Sequence, residues 1–267
     1  GGLFEGKGLL KISQLPLQTI NIFLNQPKDF DGSLDINLNY DLDNKFFKSN
    51  ISSNNTSIKD YLLTLDKGKI EFNNSLFDLD LSLLLNNSNT PINLTGYIPI
   101  NNKNNLDLRI YGNGQFIDLI DILVEDNFTF NKGNVNFRMI IKGSLNKPIS
   151  NGFLVINDSE VDIYKNTVKD INSTIIFDFD QIEIKQFKAR RKDSGMIFLS
   201  GSLPFYDKSN LQNKSINLET SDFKIETNNL NFILDSNLNI SGSLENLFLG
   251  GEAVLKNGFI NLNNKKN

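Results

Sequence analysis

Apolar and polar residues alternate with a period of two along much of this chain. Phe77, Leu79, Leu81, Leu83 and Leu85 alternate with Asp78, Asp80 and Ser82, and Leu34, Ile36, Leu38 and Tyr40 with Asp35, Asn37 and Asn39. Val135, Phe137 and Met139 alternate with Asn136 and Arg138. Ile175, Phe177 and Phe179 keep the same rhythm, with Asp178 and Asp180 on the other phase. Successive side chains of a strand point to opposite faces, so each segment is predicted to be a strand with one apolar and one wet face. Parallel strands covered by helices on both sides would read instead as unbroken apolar runs. The predicted class is all-β: a largely antiparallel, one-sided sheet of many short strands joined by Gly, Asn and Asp turns.

Two segments change period. Leu15 to Leu24 places Leu17, Ile20, Phe23 and Leu24 at helical spacing, with Pro16 near the first helical position. Phe116 to Val124 places Phe116, Leu119, Ile120 and Leu123 on one side and Asp118, Asp121 and Glu125 on another. The two lie 101 residues apart, and each is predicted to be a short helix that plugs or caps the apolar face.

That spacing recurs. The stretch from Ile141 to Ile163 aligns without a gap on Ile240 to Leu262, at an offset of 99 residues. Gly143 falls on Gly242, Ser144 on Ser243, Leu145 on Leu244, Gly152 on Gly251 and Val155 on Val254. The segment after Gly32 matches the one after Gly133, and Gly96-Tyr97-Ile98-Pro99 matches Gly201-Ser202-Leu203-Pro204. Such self-similarity marks an array, here one β module with repeat units of about 1–100, 101–204 and 205–267. With Gly1-Gly2 at its start, the chain reads as a piece of a longer protein.

A one-sided sheet must hide its apolar face. It can pack on a second sheet, close into a barrel, wind into a solenoid, or curl into a trough that holds something apolar. Periodicity alone leaves all four open.

Composition narrows the functions more than the fold. The 267 residues suffice for a sizeable core. The formal net charge of −4 offers no electrostatic footprint for nucleic acid. Cys, His and Trp are absent. Disulfides, thiolate chemistry, the usual catalytic triads and most zinc sites are therefore excluded. No apolar run reaches the roughly 18 residues of a membrane-spanning helix. Triplets such as Asn93-Leu94-Thr95 follow from the richness in Asn, and glycosylation is not expected of them.

Few residues suggest chemistry. Gly6-Lys7-Gly8 and Gly112-Asn113-Gly114 carry two glycines of a dinucleotide fingerprint without its strand–turn–helix setting, and read as turns. Asp78/Asp80 and Asp178/Asp180 could act as acid–base pairs, but both sit on the polar phase of a strand, where solvated charge is the default. Lys185, Lys188, Arg190, Arg191 and Lys192 form the one local basic cluster. It is read either as a protected strand edge or as a place for phosphate headgroups. No enzyme, cofactor or metal is expected.

The pattern Gly143-Ser144-Leu145, Pro148, Gly152 resembles the TamB family of cell-envelope proteins, within the AsmA-like superfamily. It recurs at Gly242-Ser243-Leu244 and Gly251, followed by Asn257-Gly258-Phe259, with Leu247 in place of the proline. Gly96-x-Ile98-Pro99 and Gly201-x-Leu203-Pro204 are similar to that family's strand endings, and Leu9-Leu10-Lys11-Ile12 with Leu15-Pro16-Leu17 has the same character. The resemblance implies an elongated antiparallel sheet array curled into a taco-like apolar trough, part of a periplasmic region anchored in the inner membrane. It also implies phospholipid transfer between the inner and outer membranes, assembly of outer-membrane barrel proteins, or both. The implied partners are phospholipid acyl chains and a barrel assembly factor of the Omp85 type. On this reading Phe77, Leu79, Leu81, Leu83, Val135, Phe137, Met139, Ile175 and Phe177 line the trough. The alternative is an extracellular β-repeat or solenoid protein, structural or adhesive, in which the same residues form a closed dry core.

Overall fold

In the computed structural model the chain forms one antiparallel sheet whose strands lie side by side in the order in which they occur in the sequence. The structure describes residues 6–23, 29–58, 61–73, 75–86, 90–101, 104–114, 128–163, 166–191, 195–207, 214–227 and 229–260. The strands are β1 (Lys7–Pro16), β2 (Phe30–Asp41), β3 (Phe46–Ile58), β4 (Tyr61–Asn73), β5 (Leu76–Leu85) and β6 (Ile92–Pro99). Next come β7 (Leu106–Gly114), β8 (Phe128–Gly143), β9 (Pro148–Ile163), β10 (Asn166–Phe179), β11 (Gln181–Arg191) and β12 (Met196–Pro204). The last three are β13 (Ser215–Glu226), β14 (Leu230–Gly242) and β15 (Leu247–Ile260).

The class is all-β, as the alternation predicts, and the sheet is not closed. Consecutive antiparallel neighbours distinguish it from a parallel solenoid. Most strands are longer than the short ones expected, up to 16 residues in β8 and β9. The matched sequence segments fall on strands six places apart in the sheet: β2 with β8, β6 with β12, and β9 with β15.

The first predicted helix needs correction. β1 runs on through Pro16, and only Leu17–Phe23 turns, as a 3-10 helix that packs against β2. The strand continues because Leu15 and Pro16 still pair with Leu34 and Ser33. Leu17 is buried, whereas Ile22 is exposed. The second predicted helix, Phe116 to Val124, lies outside the described residues.

The chain packs as two compact units, 1–122 with 137–149, and 123–136 with 150–267. Their local details repeat. Gly96 and Gly201 have φ of +123° and +121°, a region that L side chains rarely adopt. A Cβ at Gly96 would sit 2.0 Å from the Asp107 carbonyl oxygen, and one at Gly201 would sit 2.1 Å from that of Ser215. Both glycines thus allow the next strand to come close. Pro99 and Pro204, three residues on, are buried at their strand ends, where a missing N–H costs no ladder bond.

The turns after Gly143 and Gly242 share one hydrogen bond. The Ser144 hydroxyl accepts from the Lys147 N–H, and that of Ser243 from the Asn246 N–H, both at 3.2 Å. Pro148 then opens β9, and Leu247 opens β15. Gly152 pairs with Phe177, and Gly251 with Leu238.

Bulges interrupt the ladders. Gln14, Asp158, Asp170 and Asp222 have positive φ next to register shifts. The Gln14 and Asp222 amides are held by the carboxylates of Asp35 and Asp235, and the Asp158 amide by the Asn172 side chain. Each bulge adds a residue and bends its strand.

Candidate functional site

In the first unit, register sorts the apolar residues into rows that run across the strands. Tyr40, Phe47, Phe72, Phe77 and Ile98 are successive partners from β2 to β6. The Phe47 and Phe72 rings stack with centroids 5.0 Å apart, and Phe77 meets Phe72 at 5.1 Å. Next to this row lies Leu38, Ser49, Ile70, Leu79, Gly96 and Leu108. A third row carries Gly68, Leu81, Leu94 and Ile110, and Leu83 joins Leu65 to Ile92. The expected lining residues of β5 therefore share one face. Leu79 is 9% exposed, and Phe77, Leu81 and Leu83 are half-buried.

A cavity of about 730 Å³ opens near the aromatic end of these rows. Leu10, Leu38, Tyr40, Phe47 and Phe72 are among its walls, with Lys45 beside them. The opposite face is polar. Lys48 and Lys69 both pair with Glu71, at 2.8 and 3.0 Å, and Lys67 pairs with Asp80 at 2.5 Å. These lysines hold the Glu71 carboxyl below its usual range, Lys48 contributing most. Asp80 is thereby an ion-pair partner on the wet face.

β8 contributes to both units. Val135 is fully buried, Phe137 is 7% exposed and Met139 is half-buried, while Asn136 and Arg138 are exposed. The alternation here is as the sequence implies.

In the second unit Ile175 lies between Leu154 and Ile184, and Phe177 between Gly152 and Ile182. Phe179 leaves the pattern: it is 57% exposed, with φ of +57°, at the turn into β11. Gln181 there donates to the Asp178 carboxylate, which places that acid in a turn contact. On the apolar face Val161, Val168, Ile171, Ala189 and Phe223 form the buried cluster. A cavity of about 470 Å³ lies against it, with Ile156, Phe187, Ile197 and Ile225 among further wall residues.

Asn166, one of the wall residues of this cavity, draws two distant strands together. Asn166, at the start of β10, donates from Nδ2 to the Glu226 carbonyl at 2.7 Å. Its Oδ1 accepts from the Glu226 N–H at 3.0 Å. Glu226 ends β13, three strands away, where a flat sheet would separate the two by about 14 Å. The sheet of this unit therefore curls over β11 and β12, and the Asn166 amide acts as a clasp between the two strands.

The basic cluster read from the sequence is divided by the fold. Lys185 pairs with Glu183, Lys188 lies 5.9 Å from the Phe198 ring centroid, and Arg190 pairs with Asp170. Arg191 is on the other face, only 7% exposed, with Nη2 3.4 Å from the Glu226 carboxylate. Lys224 and Arg191 together hold the Glu226 carboxyl below its usual range, Lys224 contributing most. Lys192 lies outside the described residues. Alternation puts Arg190 and Arg191 on opposite faces, so they cannot form one patch.

Sequence reasoning missed the lining residues Phe47, Phe72, Val161, Val168, Phe187 and Phe223. Bulges account for much of this: the apolar phase shifts between Val168 and Ile171 and between Ile184 and Phe187. Asp residues interrupting strand-like runs, such as Asp158 and Asp170, were the available signal, because Asp tolerates positive φ.

Among the described residues no helix is long and apolar enough to cross a membrane, and no group of His, Cys, Asp and Glu could hold a metal ion. No protein-family model, curated protein or solved structure matches this chain.

Proposed function

We propose that this chain is a lipid-shielding segment of a TamB-like envelope protein, and that its apolar face carries phospholipid acyl chains between two membranes. One observation carries the reading. In each unit successive strands present apolar rows on one face, and the sheet has no second sheet layered on it among the described residues. An acyl chain in water costs about 0.8 kcal/mol per CH₂, so a chain of about sixteen carbons represents roughly 12 kcal/mol. A face of aliphatic and aromatic rows offsets most of that cost without a specific contact to each lipid. The cavities beside Phe72 and Phe223 give such chains room.

The test is photo-crosslinking in an expressing bacterial envelope, read by mass spectrometry. A photoreactive residue replaces Phe72, which lines the first unit's cavity, or Asn73, its exposed neighbour on the strand. Phospholipid adducts at 72 and not at 73 are expected. Absence of adducts at both, in folded protein, would refute lipid carriage. Protein adducts at 72 in place of lipid would favour the assembly of barrel strands.

A further inference from the structure

The two cavities differ in the charge of their walls. Those of the second unit are apolar save for Asn166 and Thr227. Those of the first include a cation, Lys45. Lys45 lies in the turn from β2 to β3, where its N–H donates to the Leu42 carbonyl at 3.3 Å. Its φ is +50°, in the left-handed region that Asn and Asp enter more readily. A long cationic side chain is thus held where a smaller turn residue would suit the backbone better, and such strain is often kept for function. The neighbouring acids are engaged elsewhere. Asp41 pairs with Lys7 and accepts from the Asn44 side chain, both at 2.8 Å, and Asp43 accepts from the Gly6 N–H at 3.3 Å. Lys45 is exposed and makes no ion pair among the described residues. Leu42, another wall residue, is 40% exposed, so this end of the cavity opens to water.

We propose that the first unit's cavity, and not the second's, selects amphiphiles with an anionic head. The alkyl chain lies against Leu38, Phe47 and Phe72, and the carboxylate or phosphate meets the Lys45 ammonium at the open end. The inference rests on the reading of the apolar face as lipid-carrying and adds the head-group class and the unit that reads it. Charge complementarity makes the choice: a quaternary ammonium is repelled by Lys45, and a neutral alcohol gains no ion pair. At an open end both charges stay hydrated, so the desolvation cost of a buried pair does not arise. The same exposure keeps the preference modest and sensitive to salt.

The experiment is titration of the folded chain with decanoate, decyl phosphate, decanol and decyltrimethylammonium, each below its micelle concentration. Amide chemical shifts read the two cavities separately, at Phe47 and Phe72 for the first and at Phe187 and Phe223 for the second. In the first cavity the anions are expected to bind about fivefold more tightly than decanol at low salt, as an exposed ion pair gives. That preference should vanish at about 1 M salt, where the screening length falls to about 3 Å. In the second cavity acid and alcohol should bind alike. Lys45→Asn suits the left-handed turn; it should abolish the preference and leave decanol binding unchanged, and Lys45→Arg should keep it. Lys147→Asn removes the same charge from a turn lysine outside both sets of wall residues, and should change nothing. A preference confined to decyl phosphate would support the proposal and assign phosphate lipids, whereas one shared by decanoate would extend it to fatty acids. Equal binding of anions and decanol in the first cavity would overturn the role of Lys45 while leaving the apolar face intact. Failure of every probe to bind at either cavity would sink this proposal together with the lipid reading on which it rests.

Discussion

Replacing Gly201 by Ala tests how closely β12 and β13 approach. The added Cβ would lie 2.1 Å from the Ser215 carbonyl oxygen and 3.0 Å from the Ile216 Cα, at φ of +121°. Ordinary carbon–oxygen contact needs about 1 Å more, so the strands must part or the backbone must rotate. Strained φ costs on the order of 1–3 kcal/mol, and the overlap with backbone adds to it. We expect a loss of about 3 kcal/mol, roughly a hundredfold in a local opening equilibrium. The control is Gly250→Ala, where an added Cβ meets nothing within 4 Å and φ lies outside the positive region. That change should be neutral or stabilise by about 0.5 kcal/mol through the unfolded chain. Native-state hydrogen exchange gives the local readout, with protection lost along β12 and β13. Gly96→Ala should do the same along β6 and β7 in the first unit, where the added Cβ would lie 2.0 Å from the Asp107 oxygen. Equal exchange in Gly201→Ala and Gly250→Ala would refute the argument that these glycines exist for close strand approach.

Two further outcomes follow from the polar groups. Asp41 is pulled from 3.8 to about 2, chiefly by Lys7 and also by Asn44, and Glu71 and Asp235 are also lowered, chiefly by Lys48 and Lys256. A lowered folded pKa gives stability that is complete above the unfolded value and lost as pH falls through the folded one. Thermal midpoints should therefore hold down to about pH 4.5, then decline toward pH 2, with Asp41→Asn flattening the most acid part of the decline. Asn166→Ala should cost about 2 kcal/mol, because the Glu226 N–H and C=O both lose their partner. Its signature in hydrogen exchange is exposure of the Glu226 amide, and unchanged protection there would count against the clasp.

The Leu79 run, the Val135 run and Ile175 with Phe177 declared the strands and their apolar phase from sequence alone, because a two-residue period has one simple structural source. The repeated Gly-Ser-Leu turns and the Gly-x-x-Pro strand endings were legible for the same reason: each needs a backbone geometry that few residues allow. Alternation could not show that Arg191 faces the apolar side while Arg190 pairs with Asp170 on the other, since bulges upstream reset the phase. Nor could it bring Asn166 to Glu226, sixty residues apart in sequence. That contact depends on how far the sheet of the second unit curls, and curl accumulates from the twist and bulges of several strands together. Local pattern thus determined which residues are apolar-faced strand residues. Only the tertiary structure decided which of them enclose a cavity and which distant partner a buried charge finds, because both depend on contacts between strands distant along the chain.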